Sequence, residues 1–239
     1  MPFGPVVDFT NSGMPMLPID SIKANEHVKN VPLMLGTAAN EGSLFVPLLP
    51  SIIPGLHLPL QTDDFETIMH YILDPVVGNE MVTSELPELH ALYPIGNYKS
   101  VDDQMAKVIR DYMFLCPTRR AARAVVAAEN AAPVYLYQFG YINKWLDFKV
   151  GGDYHCSEIY FVFGNAWPPV IHRFSRTDDK MVETMQSCWT NFAKNGNPGN
   201  DWPAYEIETD QHMFLDYPPV AGSGLEEASC DYHDKMLGY

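Results

Sequence analysis

Two short apolar runs set the frame for this chain. Val31–Thr37 (VPLMLGT) is almost continuously apolar, and Val134–Phe139 (VYLYQF) is β-branched and aromatic. Runs of this length without polar alternation read as strands covered on both faces, the habit of a parallel sheet. Parallel neighbours need a long crossover between them, and the intervening hundred or so residues are helical in pattern. Pro32 belongs at the start or edge of the first strand, because it has no N–H to give to a ladder.

The crossover carries its own punctuation. Phe65, Ile68, Met69 and Ile72 recur at helical spacing over Asp64–Leu73, and Asp63 with Glu66 forms a candidate capping box. Ser100 and Asp103 repeat that signature ahead of Met105, Val108, Ile109, Tyr112 and Met113, after which Pro117 is expected to break or restart the helix. Thr118–Glu129 (TRRAARAVVAAE) consists of strong helix formers, and its Arg119, Arg120 and Arg123 read as a solvated face. A last helix is expected from about Thr177, with the stripe Met181, Met185, Cys188, Trp189 and Phe192 and a glycine close at Asn195–Gly196. Beyond Asn197 the chain reads as irregular, apart from a strand at Met213–Leu215. This is α/β grammar, parallel strands flanked by helices. With no break in composition, residues 1–239 read as one domain.

Composition narrows the partners. Asp and Glu number 30 against 15 Lys and Arg, a net charge of −15, which argues against nucleic acid because phosphate binding needs clustered cations. No apolar run approaches the roughly 20 residues of a membrane span. The opening MPFGPVVDFT lacks the basic and apolar regions of a signal peptide, and the cell compartment is left open. Cys116, Cys156, Cys188 and Cys230 contain no C-x-x-C pair, so metal-finger and thioredoxin-type readings fall away. Spacing alone does not say which of the four are bonded.

In open α/β sheets chemistry gathers beyond the carboxyl ends of the strands. The loop after the first run holds Glu41 (AANEG), and the loop after the second holds His155 (GGDYHCSEIYFVFGN). Read alone, Glu41 is either a solvated turn residue or a carboxylate that orients an imidazole; His155 is either a structural loop histidine or a general base. His155 and Glu158 also space as an H-x-x-E pair, but with only Cys156 nearby as a further ligand a metal site is not expected.

Five ordered blocks then resemble the C-terminal part of a type B carboxylesterase, in the cholinesterase–carboxylesterase branch of the α/β-hydrolases. They are Phe3–Asp8 (FGPVVD), Val31–Phe45 (VPLMLGTAANEGSLF, with Asn40 where the family has Asp), Asp111–Pro117 with Val134–Phe139, Gly152–Gly164, and Trp189–Tyr205 (WTNFAKNGNPGNDWPAY). The resemblance implies that Glu41 is the acidic and His155 the histidine member of a Ser-His-Glu triad, with no cofactor. It implies a disulfide between Cys116 and Cys230, with Cys156 and Cys188 outside it, and an ester pocket touched by Phe45 and Tyr154. Phe161 and Phe163 are assigned to core packing, and Glu158 to a structural role near the site. Relatives of this kind are often secreted.

One departure is decisive. No serine here has glycine at both −2 and +2, so the family's G-x-S-x-G nucleophile elbow is missing, as is its Gly-rich oxyanion loop. The chain is therefore expected to be the C-terminal half of an incomplete α/β-hydrolase fold, inactive alone and needing the N-terminal half of the same domain. The strand at Val31 would then present an open edge. The competing reading is a non-catalytic carboxylesterase-like module that binds protein. A third, with Cys156 as nucleophile, is disfavoured by the thiol's place next to the base.

Overall fold

The computed structural model describes residues 7–10, 13–27, 29–143, 153–166, 174–199 and 201–239. The Phe3–Asp8 block up to residue 6, Gly152 of the histidine block and Asn200 lie outside them.

Four strands form one sheet in the order β1-β2-β3-β4: Leu33–Ala38, Val134–Phe139, Gln211–Leu215 and Val220–Ser223. β1, β2 and β3 run parallel, and β4 returns antiparallel to β3. Both strong strand expectations hold to within two residues, and Pro32 stands just outside β1. The irregular reading beyond Asn197 does not hold. β3 is the strand expected at Met213–Leu215, and the unforeseen β4 and a helix at Glu227–Leu237 order the rest of that region.

Among the described residues the helices are α1 Pro18–Lys23, α2 Leu49–Ile52, α3 Asp64–Val77, α4 Asn79–Leu92, α5 Val101–Arg110, α6 Cys116–Ala127, α7 Ile159–Phe163, α8 Arg176–Asn195 and α9 Glu227–Leu237. Ser100 caps α5 as expected, its hydroxyl accepting from Asp103 N at 3.2 Å. Asp63 does not cap α3; instead the Asp64 carboxylate reaches back to Gln61 N at 2.7 Å. A capping box does close α8, between Ser175 and Asp178, and Gly196 ends that helix at φ 69°, where only glycine is unstrained.

Between α5 and α6, residues Asp111–Leu115 form a π-helical turn, so one rod runs from Val101 to Ala127 with Pro117 in the first turn of α6. Pro117 restarts the helix rather than breaking it, since the missing N–H costs nothing there.

Side chains alternate across the sheet and sort into two cores. Tyr135 and Phe139 face α8, with Met181, Met185 and Cys188, while Val134 and Leu136 face α6, with Ala122 and Val125. This is a three-layer α/β/α sandwich. Where β3 no longer reaches the start of β2, Tyr205 N and Trp202 Nε1 donate to the carbonyls of Val134 and Leu136 (2.7 and 3.1 Å), which explains the Trp and Tyr of the Trp189–Tyr205 block. A third core gathers α3, α4 and α5. Among the described residues β1 has one neighbour, and Leu33, Met34 and Leu35 are only half-buried, as the open-edge expectation requires.

The arginines of α6 are not a solvated face. Arg119 is 1% exposed and pairs with Asp210 (3.0 Å) and Asp231 (2.8 Å), while Arg120 pairs with Asp234. Their partners lie about a hundred residues downstream, out of reach of local pattern. Cys116 and Cys230 are joined in a disulfide that ties α9 to the start of α6.

Candidate active site

The sheet register delivers the two loops to one place. Ala38, the last residue of β1, lies beside Phe139, the last of β2. The ladder then continues past the strands: Ala39 N donates to Phe139 O (2.7 Å), Asn40 N donates to Asp153 O (3.1 Å), and Asn40 pairs in parallel with Tyr154. Glu41 and His155 each follow this last pair by one residue. Two residues 114 positions apart are thereby set side by side by backbone hydrogen bonds.

Glu41 opens a 3-10 turn, Glu41–Leu44, and its side chain is 7% exposed. One carboxylate oxygen, Oε1, accepts from Ala38 N at 2.7 Å, and the other, Oε2, is hydrogen-bonded to His155 Nδ1. Gly42 is required at the next position, since a Cβ there would stand 1.9 Å from the Ala106 carbonyl oxygen of α5. The N-E-G-S sequence thus lets the turn sit directly on a helix backbone.

His155 keeps 36% of its side chain exposed. Its ring lies 4.9 Å from Phe114 and 5.4 Å from Phe45, centroid to centroid, and those two phenyls lie 5.4 Å apart. Phe45 therefore stands beside the imidazole, and Phe114, which the sequence reading did not single out, joins it from the π-helical turn. Tyr154 is buried, and its hydroxyl donates to Tyr160 at 3.3 Å. Phe161 is core, but Phe163 is 68% exposed and not a core residue. Cys156, directly after the histidine, adopts φ 68°. Left-handed backbone is strained for such a residue and turns the chain sharply where the imidazole is presented.

The electrostatics are acidic. Burial raises the Glu158 carboxyl above its ordinary range, and the Glu41 charge adds to this against the opposing pull of its own backbone N–H and His155. Burial, Glu158 and Glu41 raise the Cys156 thiol too, which leaves it a poor source of thiolate and counts against a cysteine nucleophile.

Behind the turn lies a network of buried charge. Arg110, at the end of α5, donates through Nη1 to the Ala39 carbonyl (3.2 Å) and pairs with Asp111 (2.6 Å) and Glu226 (2.7 Å). Tyr93 donates to Asp111 at 3.1 Å, so the His233 Nε2–H at 2.8 Å is left to donate to the Tyr93 oxygen. This network has no local signature, because its members come from the end of α4, from α5 and the π turn, and from the start and body of α9.

A carboxylate on one imidazole nitrogen of a partly exposed ring is an arrangement that can serve as a general base with its orienting acid. The sequence model of the Carboxylesterase family matches residues 1–233. The chain is 29% identical over 194 residues to the para-nitrobenzyl esterase of Bacillus subtilis (strain 168), covering 78% of this chain and 34% of that protein. It is 25% identical over 241 residues to the acetylcholinesterase of Leptinotarsa decemlineata, covering 94% of this chain and 36% of that one. The solved structure titled PNB esterase superposes with a TM-score of 0.67 at 24% identity, over 94% of this chain and 42% of its own, and so shares the fold. The chain spans about a third of the length of these curated relatives. With the strands, the disulfide and the match over residues 1–233 all in agreement, the chain belongs to the carboxylesterase family.

Proposed function

We propose that this chain supplies the acid, Glu41, and the base, His155, of a Ser-His-Glu centre that hydrolyses carboxylic esters, and that residues 1–239 are the C-terminal portion of a carboxylesterase domain whose remainder carries the serine. The observation that carries the reading is the hydrogen bond from His155 Nδ1 to Glu41 Oε2 beyond the aligned ends of two parallel strands. Glu41 keeps the ring proton on Nδ1, which leaves Nε2 as the base. Nε2 takes the proton of the serine hydroxyl as its oxygen attacks the ester carbonyl. The bond to the alcohol breaks, and the proton passes from Nε2 to the departing oxygen. Water, deprotonated by the same nitrogen, then attacks the acyl group and frees the acid and the serine. Phe45 and Phe114 make an apolar wall beside the base, and we assign Phe45 and Tyr154 to the ester pocket.

The test is ester turnover on p-nitrophenyl acetate. The 239 residues alone are expected to show none, because no elbow serine is present. The full-length protein is expected to be active, and His155→Ala should lower turnover by about 10⁶-fold. Robust activity in the isolated chain refutes the division of labour. A full-length protein that is inactive and has no serine in its elbow supports the protein-binding reading instead.

A further inference from the structure

The turn that fixes the Glu41 carboxylate is held on one side by the ladder to the His155 loop and rests on α5 beneath it. Arg110 is the side chain that joins the two. Its Nη1 donates to the Ala39 carbonyl at 3.2 Å, one residue past β1 and two before Glu41. Its Nε and Nη2 hold Asp111 Oδ1 at 2.7 and 2.6 Å, and Nη2 also meets Glu226 Oε1 at 2.7 Å. Only a guanidinium can serve three acceptors in fixed directions, and lysine, with one ammonium, cannot.

The anchor of this clamp is the C-terminal helix. Glu226 precedes α9 in left-handed backbone at φ 51°, and its carbonyl accepts from Cys230 N at 3.0 Å. Cys230 is bonded to Cys116. A continuous path of covalent, hydrogen-bonded and ion-paired contacts thus runs from the disulfide through Glu226 and Arg110 to the Ala39 carbonyl. Lys107 also reaches Glu226, so the acidic end is held from two sides. Burial pulls the Arg110 guanidinium down, and Asp111 and Glu226 more than reverse it, so it stays charged.

We infer that Arg110 is a positioning residue for the acid–base pair: it ties the Glu41 turn to the disulfide-anchored C-terminal helix and keeps the carboxylate on His155 Nδ1. The inference rests on the proposed pairing of Glu41 with His155 and goes beyond it by naming what holds that pair. Releasing the Ala39 carbonyl frees the turn to shift, and an imidazole no longer held by the carboxylate reverts toward the Nε2–H tautomer.

The experiment is ¹⁵N NMR of the full-length protein labelled at histidine, which reads the His155 tautomer directly. The wild type is expected in the Nδ1–H form. Arg110→Lys, which keeps the charge beside Asp111 and Glu226, should raise the Nε2–H population about 3- to 10-fold, the equivalent of one lost hydrogen bond, with the amide spectrum otherwise retained. Glu226→Gln, which loosens the clamp without touching Ala39, should give a smaller shift in the same direction. An unchanged tautomer in folded Arg110→Lys overturns the inference while leaving the acid–base pair in place. If Arg110→Lys does not fold, Glu226→Gln decides alone, and no shift there overturns it. A wild type already in the Nε2–H form overturns the pairing of Glu41 with His155, and the inference with it.

Discussion

Glu41 has 7% of its side chain exposed and both carboxylate oxygens engaged, whereas His155 has 36% exposed and is seated against the Phe45 and Phe114 rings. Behind Glu41 stand Arg110, Asp111, Glu226, Tyr93 and His233, nearly all buried and hydrogen-bonded. The acid side is thus held by directional, charged contacts that fix one geometry. The imidazole side is held by apolar surfaces that tolerate small rotations. In the role proposed for His155, a base accepts a proton from one partner and hands it to another, and a ring seated on phenyls can adjust between them. Its carboxylate partner has only to stay put.

The largest effect belongs where the two sides meet. Glu41→Gln in the full-length protein should lower kcat by about 10⁴-fold with the fold intact, because the amide no longer fixes the tautomer. Turnover within a few-fold of wild type would remove Glu41 from the centre. Next comes the polar scaffold. Burial depresses the His233 pKa from 6.5 to about 4. The unfolded chain binds that proton more readily, so the contribution to stability is complete above about pH 6.5 and is lost as pH falls through 4. The loss should amount to roughly 3 kcal/mol, read as a fall in denaturation midpoint over that window. His233→Gln should flatten the slope, and an undiminished slope would place the acid sensitivity elsewhere. The smallest effect belongs to the apolar seat. Phe114→Leu removes one ring contact and should cost about 1 kcal/mol of stability or a few-fold in KM. A loss comparable to that of Glu41→Gln would erase the contrast between the two sides.

What was legible in the sequence follows the same line between local and distant causes. β1 and β2 were readable because each declares itself in six contiguous residues, and Glu41 and His155 drew attention because each sits past such a strand, their proposed roles coming from the family resemblance. α4 was missed because only Val82 and Leu89 are fully buried along it and Pro87 interrupts its pattern. α9 was missed because its buried positions are Ser229, Cys230 and His233, which no hydrophobic periodicity registers. Arg119 looked solvated because its acids arrive from 91 and 112 residues away. Phe114 was hidden by the π turn, which breaks the period that would have put it on a recognisable face.

That turn has a consequence of its own. A π turn packs one more residue than an α turn, so everything after Leu115 is offset by about 100° from where a straight helix would carry it. The rod from Val101 to Ala127 therefore works as two phased segments, one aiming Arg110 at the acid turn and the other aiming Cys116 and Arg119 at the chain's final third. Deleting the exposed Met113 would spare the side chains that meet Arg110 and His155 and dial the second segment out of alignment with the first.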